Sequence, residues 1–161
     1  MLPGFSGELD LFLGIPGDEI ADAVDTSGGV RGVFRFHLNQ NLSVHGAARF
    51  MVVNVKDLQE NVDVTYFDIG AGGRFTLPVN PMLSLFGEVE LLMSQVKVTA
   101  GPFSDTDRNP GAAARVGGLY KIAVNLDLTA FAGFTKNFAG DGPDEVDSRW
   151  VDIGAGAVLY F

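Results

Sequence analysis

From Trp150 to the terminal Phe161, the chain places Val151, Ile153, Ala155, Ala157, Leu159 and Phe161 at every second position, with no polar residue in that row. The opposite row is Trp150, Asp152, Gly154, Gly156, Val158 and Tyr160, and it carries a charge in mid-strand. A strict period of two with one wholly apolar face is the pattern of a β-strand, not of a helix. An apolar chain end of this kind frays in water. It is stable where the final strand closes a cylinder and its outer row meets lipid.

Seven further segments alternate in the same way. Ser6–Gly14 sets Leu9, Leu11 and Leu13 against Glu8, Asp10 and Phe12. Val30–Leu38 sets Val30, Phe34 and Phe36 against Arg31, Arg35 and His37, and Leu42–Val55 sets Val44, Ala48 and Phe50 against His45, Arg49 and Met51. Val62–Phe75 opposes Phe67, Ile69 and Phe75 to Asp68 and Arg74; Met82–Val98 opposes Leu85, Val89 and Leu91 to Glu88 and Glu90. Gly111–Ile122 and Leu126–Asn137 complete the set, with Arg115, Lys121 and Asp127 on their polar rows. Between them, Ile15–Gly29, Lys56–Asn61, Gly101–Pro110 and Phe138–Ser148 read as long polar loops. Asn39-Gln40-Asn41, Thr76–Pro81 and Ala123-Val124-Asn125 read as tight turns, with Pro78 and Pro81 keeping the second out of the ladder. Long and short connections therefore alternate, with the loops at one end and the turns and both termini at the other. Short turns at one end and longer loops at the other are the pattern of transmembrane barrels.

An internal repeat agrees with an even strand count. Asp68-Ile69-Gly70-Ala71-Gly72 recurs as Asp152-Ile153-Gly154-Ala155-Gly156, an offset of 152 − 68 = 84. Asn41-Leu42 and Asn125-Leu126, and Arg31 and Arg115, are related by the same offset. Duplication of a four-stranded half and chance similarity between glycine-rich strands both account for it.

Composition narrows the function. The net charge of −9 opposes nucleic-acid binding, which requires a basic surface. With no cysteine, disulfides and thiolate metal sites are excluded. No apolar run reaches the length of a transmembrane helix, but barrel strands need only about 9–11 alternating residues each. The 161 residues are expected to form a single domain. Met1-Leu2-Pro3-Gly4 is not a secretory signal, so an exported chain is expected to have lost one.

The polar rows decide which face is outside. They are sparse in charge, Arg-rich among cations, and mixed with Gly, Ala and Phe, unlike a water-facing strand. Arginine suits enclosed, bidentate pairing with carboxylates. Counted from the turn end, Arg31, Arg49, Asp68, Glu88, Glu90, Arg115 and Asp152 fall at similar heights. They predict a mixed-sign belt in a narrow lumen that side chains can fill. The expected fold is all-β: an eight-stranded antiparallel up-and-down transmembrane barrel, apolar outside, with a plugged polar lumen. Phe36, Phe75, Tyr120 and Phe161 are expected to ring the turn end.

With these features the whole chain resembles the small eight-stranded outer-membrane barrels typified by the OmpA transmembrane domain and OmpX. Its last strand looks like their C-terminal assembly signal, carried here by Gly156, Leu159 and Phe161. The resemblance implies the bacterial outer membrane, an interior of paired Arg and Glu, and recognition of the last strand by the barrel-assembly machinery. It also implies contact with the lipid bilayer and lipopolysaccharide, and a monomer. The short loops and scarcity of Trp and Tyr depart from that family and weigh against an adhesin built on long loops.

Enzyme chemistry finds little support. Ser43-x-His45 reverses the His-x-Ser order of outer-membrane lipid-modifying enzymes, and polar lumen filling accounts for both residues. His37 and His45 are two ligands without a third. Glu88 and Glu90 on one face suggest paired acid/base catalysis, but neutralisation by Arg115 and Arg49 is simpler. The Gly70-x-Gly72 and Gly154-x-Gly156 pairs lack the following helix of a phosphate loop. Asp105, Asp107, Asp141, Asp144, Glu145 and Asp147 make the loop end acidic, a solvated rim or a weak divalent-cation site bridging lipopolysaccharide. The expected role is non-catalytic and cofactor-free, structural or surface-interacting. A narrow small-solute or ion pore is the alternative, and a lipid-modifying enzyme the third reading.

Overall fold

Alternation over eight segments builds eight strands. In the computed structural model they are β1 (Gly4–Pro16), β2 (Ser27–His37), β3 (Leu42–Val53), β4 (Val62–Pro78), β5 (Leu83–Ala100), β6 (Phe103–Ala123), β7 (Leu126–Asn137) and β8 (Ser148–Tyr160). The structure describes residues 4–17, 21–22, 24–53, 55, 62–100, 103–138 and 148–161. Each strand pairs antiparallel with its neighbour in sequence, and β8 pairs with β1 to close the barrel. Closure leaves no open sheet edge around the belt where all eight strands pair, as a hydrocarbon environment requires.

The register fixes the tilt. Following the pairings once around, Ser6 leads through Arg35, His45, Gly72, Glu90, Ala113, Thr135 and Trp150 back to β1 at Pro16. The row returns 16 − 6 = 10 residues higher. Ten residues over eight strands set an inclination of about 40° to the barrel axis.

The apolar rows face outward. Leu85, Val89, Phe134 and Ile153 are 49%, 65%, 44% and 51% exposed, whereas Arg49 and Glu90 are 3% and 4% exposed. Outer apolar side chains continue around the whole barrel, from Leu11 on β1 to Leu159 on β8. A continuous band of this kind far exceeds the patches that water-soluble monomers expose.

The tight turns are held by side chains. Asn39 Oδ1 accepts hydrogen bonds from the backbone N–H of Asn41 (2.8 Å) and Leu42 (2.9 Å). Asn80 Oδ1 does the same for Met82 and Leu83, both at 2.9 Å. This local capture of the backbone is why asparagine favours such positions.

Three expectations are corrected. Gly101–Pro110 is not a polar loop over its length, because residues 103–110 continue β6 and pair with β5 as far as Ala100↔Phe103. Pro78 lies inside β4 opposite Ser84 instead of outside the ladder. Pro78 and Pro110 are tolerated because the strand on their other side has no partner at that level: β3 pairs with β4 only to Phe75, and β7 with β6 only to Gly111. Lys121, placed on a lumen row by alternation, is exposed at the turn end, where the register shifts between Lys121 and Ala123.

Candidate functional site

The inward rows meet in a filled lumen that is layered along the axis. At the turn end Ser6, His37, Asp127 and Tyr160 form a polar floor. Ser6 Oγ lies 2.8 Å from His37 Nε2, and the Tyr160 hydroxyl donates to Asp127 at 2.8 Å. Buried Leu119, Val158 and Phe86 follow. The ionic interior comes next, and Met51 and Trp150 close it on the loop side, with Tyr66 edge-on to Trp150 at 5.8 Å.

The interior sets the guanidiniums of Arg31, Arg35, Arg49, Arg74 and Arg115 against the carboxylates of Glu8, Asp10, Asp68, Glu88, Glu90 and Asp152, all buried. Glu88 is the hub. It accepts from Arg31 Nη2, from Arg35 Nη2 at 3.0 Å and from Arg74 Nε at 2.8 Å, with Arg115 at 3.5 Å. Glu90 Oε2 accepts from Arg31 at 2.8 Å and Arg115 at 3.0 Å. On the turn side, Glu8 Oε2 takes Arg35 Nη1 at 2.6 Å and Arg74 Nη1 at 2.9 Å. On the loop side, Arg49 donates from Nε to Asp68 at 2.5 Å and from Nη1 to Asp152 at 2.8 Å and Thr135 at 3.1 Å. Rings complete the packing, with the Arg74 guanidinium 3.8 Å from the Phe86 ring centroid and Arg49 5.3 Å from that of Phe12. Charges removed from water in this way persist only when paired and hydrogen-bonded.

The internal repeat has a geometric meaning. An offset of 84 residues carries one strand onto the strand four places on, halfway around an eight-stranded barrel. Asp68 on β4 and Asp152 on β8 therefore face each other, and Arg49 bridges them. Arg31 on β2 and Arg115 on β6 converge on the same Glu90 oxygen.

Inward glycines make room for these side chains. A Cβ on Gly70 would stand 2.6 Å from Glu90 Oε1, and one on Gly133 2.5 Å from Arg115 Cγ. Outward Gly32 has open space instead.

Arg31, Arg49, Asp68, Glu88, Glu90, Arg115 and Asp152 thus all lie in the lumen and share contacts. Arg49 does not neutralise the glutamates as its level suggested, because Asp68 and Asp152 claim it. Glu8, Asp10, Arg35 and Arg74 sit in the same network, and sequence counting left them out of the belt. Of the terminal residues, Gly156 lies beside Asp10, Leu159 faces outward, and the Phe161 N–H donates to the Phe5 carbonyl at 3.0 Å. Asp105 and Asp107 are exposed on β6; Asp141, Asp144, Glu145 and Asp147 lie outside the described residues.

The two histidines do not form a site together. His37 turns to Ser6, while His45 Nε2 approaches Glu90 at 3.4 Å and Glu88 at 4.0 Å. Among the described residues, His45, Glu88 and Glu90 are the one group whose ligand atoms could share a metal ion, lying within 4.8 Å of one another. Both glutamates are already held by guanidiniums, so a cation there would face Arg31 and Arg115.

Comparison with known proteins agrees on architecture. No protein-family model matches the sequence, and no curated protein does. Among solved structures, Neisserial surface protein A matches with a TM-score of 0.73 over 98% of this chain and 97% of that one, at 17% identity. Ail, the attachment invasion locus protein of Yersinia pestis, matches at 0.65 over 100% of both chains, also at 17% identity. It has also been crystallised with the heparin analogue sucrose octasulfate. The outer membrane protein OprG from Pseudomonas aeruginosa matches at 0.65 over 99% and 96%, at 11% identity. The chain has the fold of the small eight-stranded outer-membrane β-barrels.

Proposed function

We propose that the chain is a non-catalytic integral barrel of the bacterial outer membrane, a monomer of one domain with a structural or surface-interaction role. The observation that carries this reading is the pairing of an apolar exterior with an ionic lumen bracketed by Phe86, Leu119 and Val158 on one side and Met51 and Trp150 on the other. An outer wall of Leu, Val and Phe favours hydrocarbon over water by roughly 25 cal/mol for each Å² buried. The sealed interior gives rigidity without a passage. The fold shared with Ail, a protein solved with a heparin analogue, supports surface binding as a role. Gly156, Leu159 and Phe161 would present the last strand to the barrel-assembly machinery, and the facing lipids, lipopolysaccharide included, would be its partners.

A second reading, a narrow solute or ion path, is favoured by one observation. Arg31 Nε, Arg115 Nε, Asp10 Oδ1 and Asp152 Oδ1 are buried without a protein partner and could line a hydrated thread. Planar-bilayer recording separates the two. The plugged barrel gives no reproducible single-channel steps. Steps whose size changes in Arg115→Ala or Glu88→Ala would establish the pore instead. Equal lipid-hydrolysis activity in the parent and His45→Ala would remove the enzyme reading.

A further inference from the structure

The β5–β6 pair outlasts its neighbours at the loop end. β5 and β6 stay paired as far as Ala100↔Phe103, and β4 backs β5 as far as Val62↔Ala100, whereas the ladder between β6 and β7 ends at Gly111↔Asn137. β6 therefore runs eight residues past its β7 partner (111 − 103 = 8). The Pro110 carbonyl accepts from the Phe138 N–H at 2.8 Å, so the backbone of Pro110 faces the β7 side. In an antiparallel strand every second residue directs its N–H and C=O to the same side. The main-chain groups of Ser104, Thr106 and Arg108 therefore face away from β5, and among the described residues no strand lies against them. The Thr106 N–H is met instead by the side chain of its own neighbour, Asp105 Oδ1, at 2.8 Å.

An open edge of this kind is a template for a further strand, and its side chains decide which strand it accepts. Asp105 and Asp107 are exposed and share one face, while Ser104, Thr106 and Arg108 lie on the other. A strand bonded to Ser104, Thr106 and Arg108 would meet Asp105 and Asp107 at the non-hydrogen-bonded positions, where facing side chains come closest. Opposite charges support such a pair and like charges destabilise it. A second copy of β6 added about a two-fold axis at Thr106 would set Asp105 against Asp107 twice, so the edge rejects its own kind. A strand with Lys or Arg at two alternate positions meets both carboxylates. Its carbonyl would take over the Thr106 N–H and release Asp105 for that pairing.

We propose that the β6 edge from Ser104 to Arg108 takes up an extended cationic segment of a partner protein as a further antiparallel strand, with basic side chains two residues apart facing Asp105 and Asp107. The main-chain groups of Ser104, Thr106 and Arg108 supply the affinity, and the two carboxylates supply the selection. Pairing with β5, itself backed by β4, already fixes the backbone of this edge, so binding has little left to order. Pro110, which has no N–H to offer, ends the edge on the membrane side. The assignment gives the surface-interaction role above a class of partner, and it rests on that reading.

The test uses the full chain refolded in nanodiscs and two synthetic peptides of one composition, Lys among Thr and Val, with the lysines at alternate positions in the first and adjacent in the second. Fluorescence anisotropy reads affinity, and amide exchange by NMR reads the edge. The parent should bind the alternating peptide roughly tenfold more tightly than its isomer and gain protection at the Ser104 and Arg108 amides. Thr106→Pro removes an edge donor without touching the bonds to β5 and should abolish binding, while Asp105→Asn/Asp107→Asn should erase the preference between the peptides. Equal affinity of the parent for both peptides, or undiminished binding by Thr106→Pro, would overturn the proposal. So would Ser104 and Arg108 amides already protected without peptide, since a second copy or another part of the chain would then hold the edge. A heat-modifiable gel shift on every sample keeps the two readings apart. Folded, inserted barrels that ignore both peptides sink only the edge site, whereas a chain that never enters a bilayer overturns both.

Discussion

Glu88 shows what one lumen residue does. Its carboxylate holds Arg31, Arg35 and Arg74 at once, so Glu88→Ala takes one carboxylate partner from each of three buried guanidiniums and leaves Arg31 to Glu90 and Arg35 and Arg74 to Glu8. The expected loss is about 3–5 kcal/mol of stability, the range for breaking a buried ion pair. Urea unfolding followed through Trp150, the sole tryptophan, measures it, and an unchanged midpoint would contradict the role given to the network. The glycines give a paired prediction. Gly133→Ala should cost about 1–3 kcal/mol because it meets Arg115, whereas Gly32→Ala should be close to neutral. At this scale, alternation was enough to read which residues face inward. It did not show that Glu8, Arg35 and Arg74 join Glu88. Each step around the tilted barrel shifts the level by more than a residue, and an arginine side chain reaches past its own level. Register is set by pairing across strands, and one strand's own pattern does not contain it.

Among the elements, the strands with the clearest alternation, β7 above all, have the bounds that their pattern marks, Leu126–Asn137. The β5–β6 hairpin does not. Ser104 to Arg108 is uniformly polar and exposed, so no alternation announces a strand, and pairing with β5 alone keeps it extended. Pro78 reads as a breaker and Pro110 as the end of a loop for the same reason: a sequence does not show on which side a neighbour has ended. The last strand carries its own prediction. β8 joins β1 from Ser6↔Tyr160 to Pro16↔Trp150, so the barrel itself does not depend on Phe161. Removing Phe161 should leave refolding in detergent intact and lower the amount of assembled barrel in cells. A truncated chain that assembles at the parent's level would remove Phe161 from the assembly signal.

The whole molecule is inverted relative to a water-soluble domain, with its ionic groups in the centre and its apolar groups outside. A charge placed on the outer wall should therefore be costly at the waist. Leu91→Arg, at the most exposed of the large outward leucines, is expected to lose about 2–4 kcal/mol in bilayers. The absence of native cysteine permits the most direct examination of this inversion, because single cysteines can carry nitroxide labels without background. Labels at Leu85, Val89, Leu91, Phe134 and Ile153 in the bilayer-reconstituted protein should relax with lipid-soluble oxygen and ignore a water-soluble nickel chelate, while a label at Lys121 shows the reverse. Leu91 and Ile153 labels that respond to the nickel chelate, or to neither reagent, would contradict an apolar wall facing lipid.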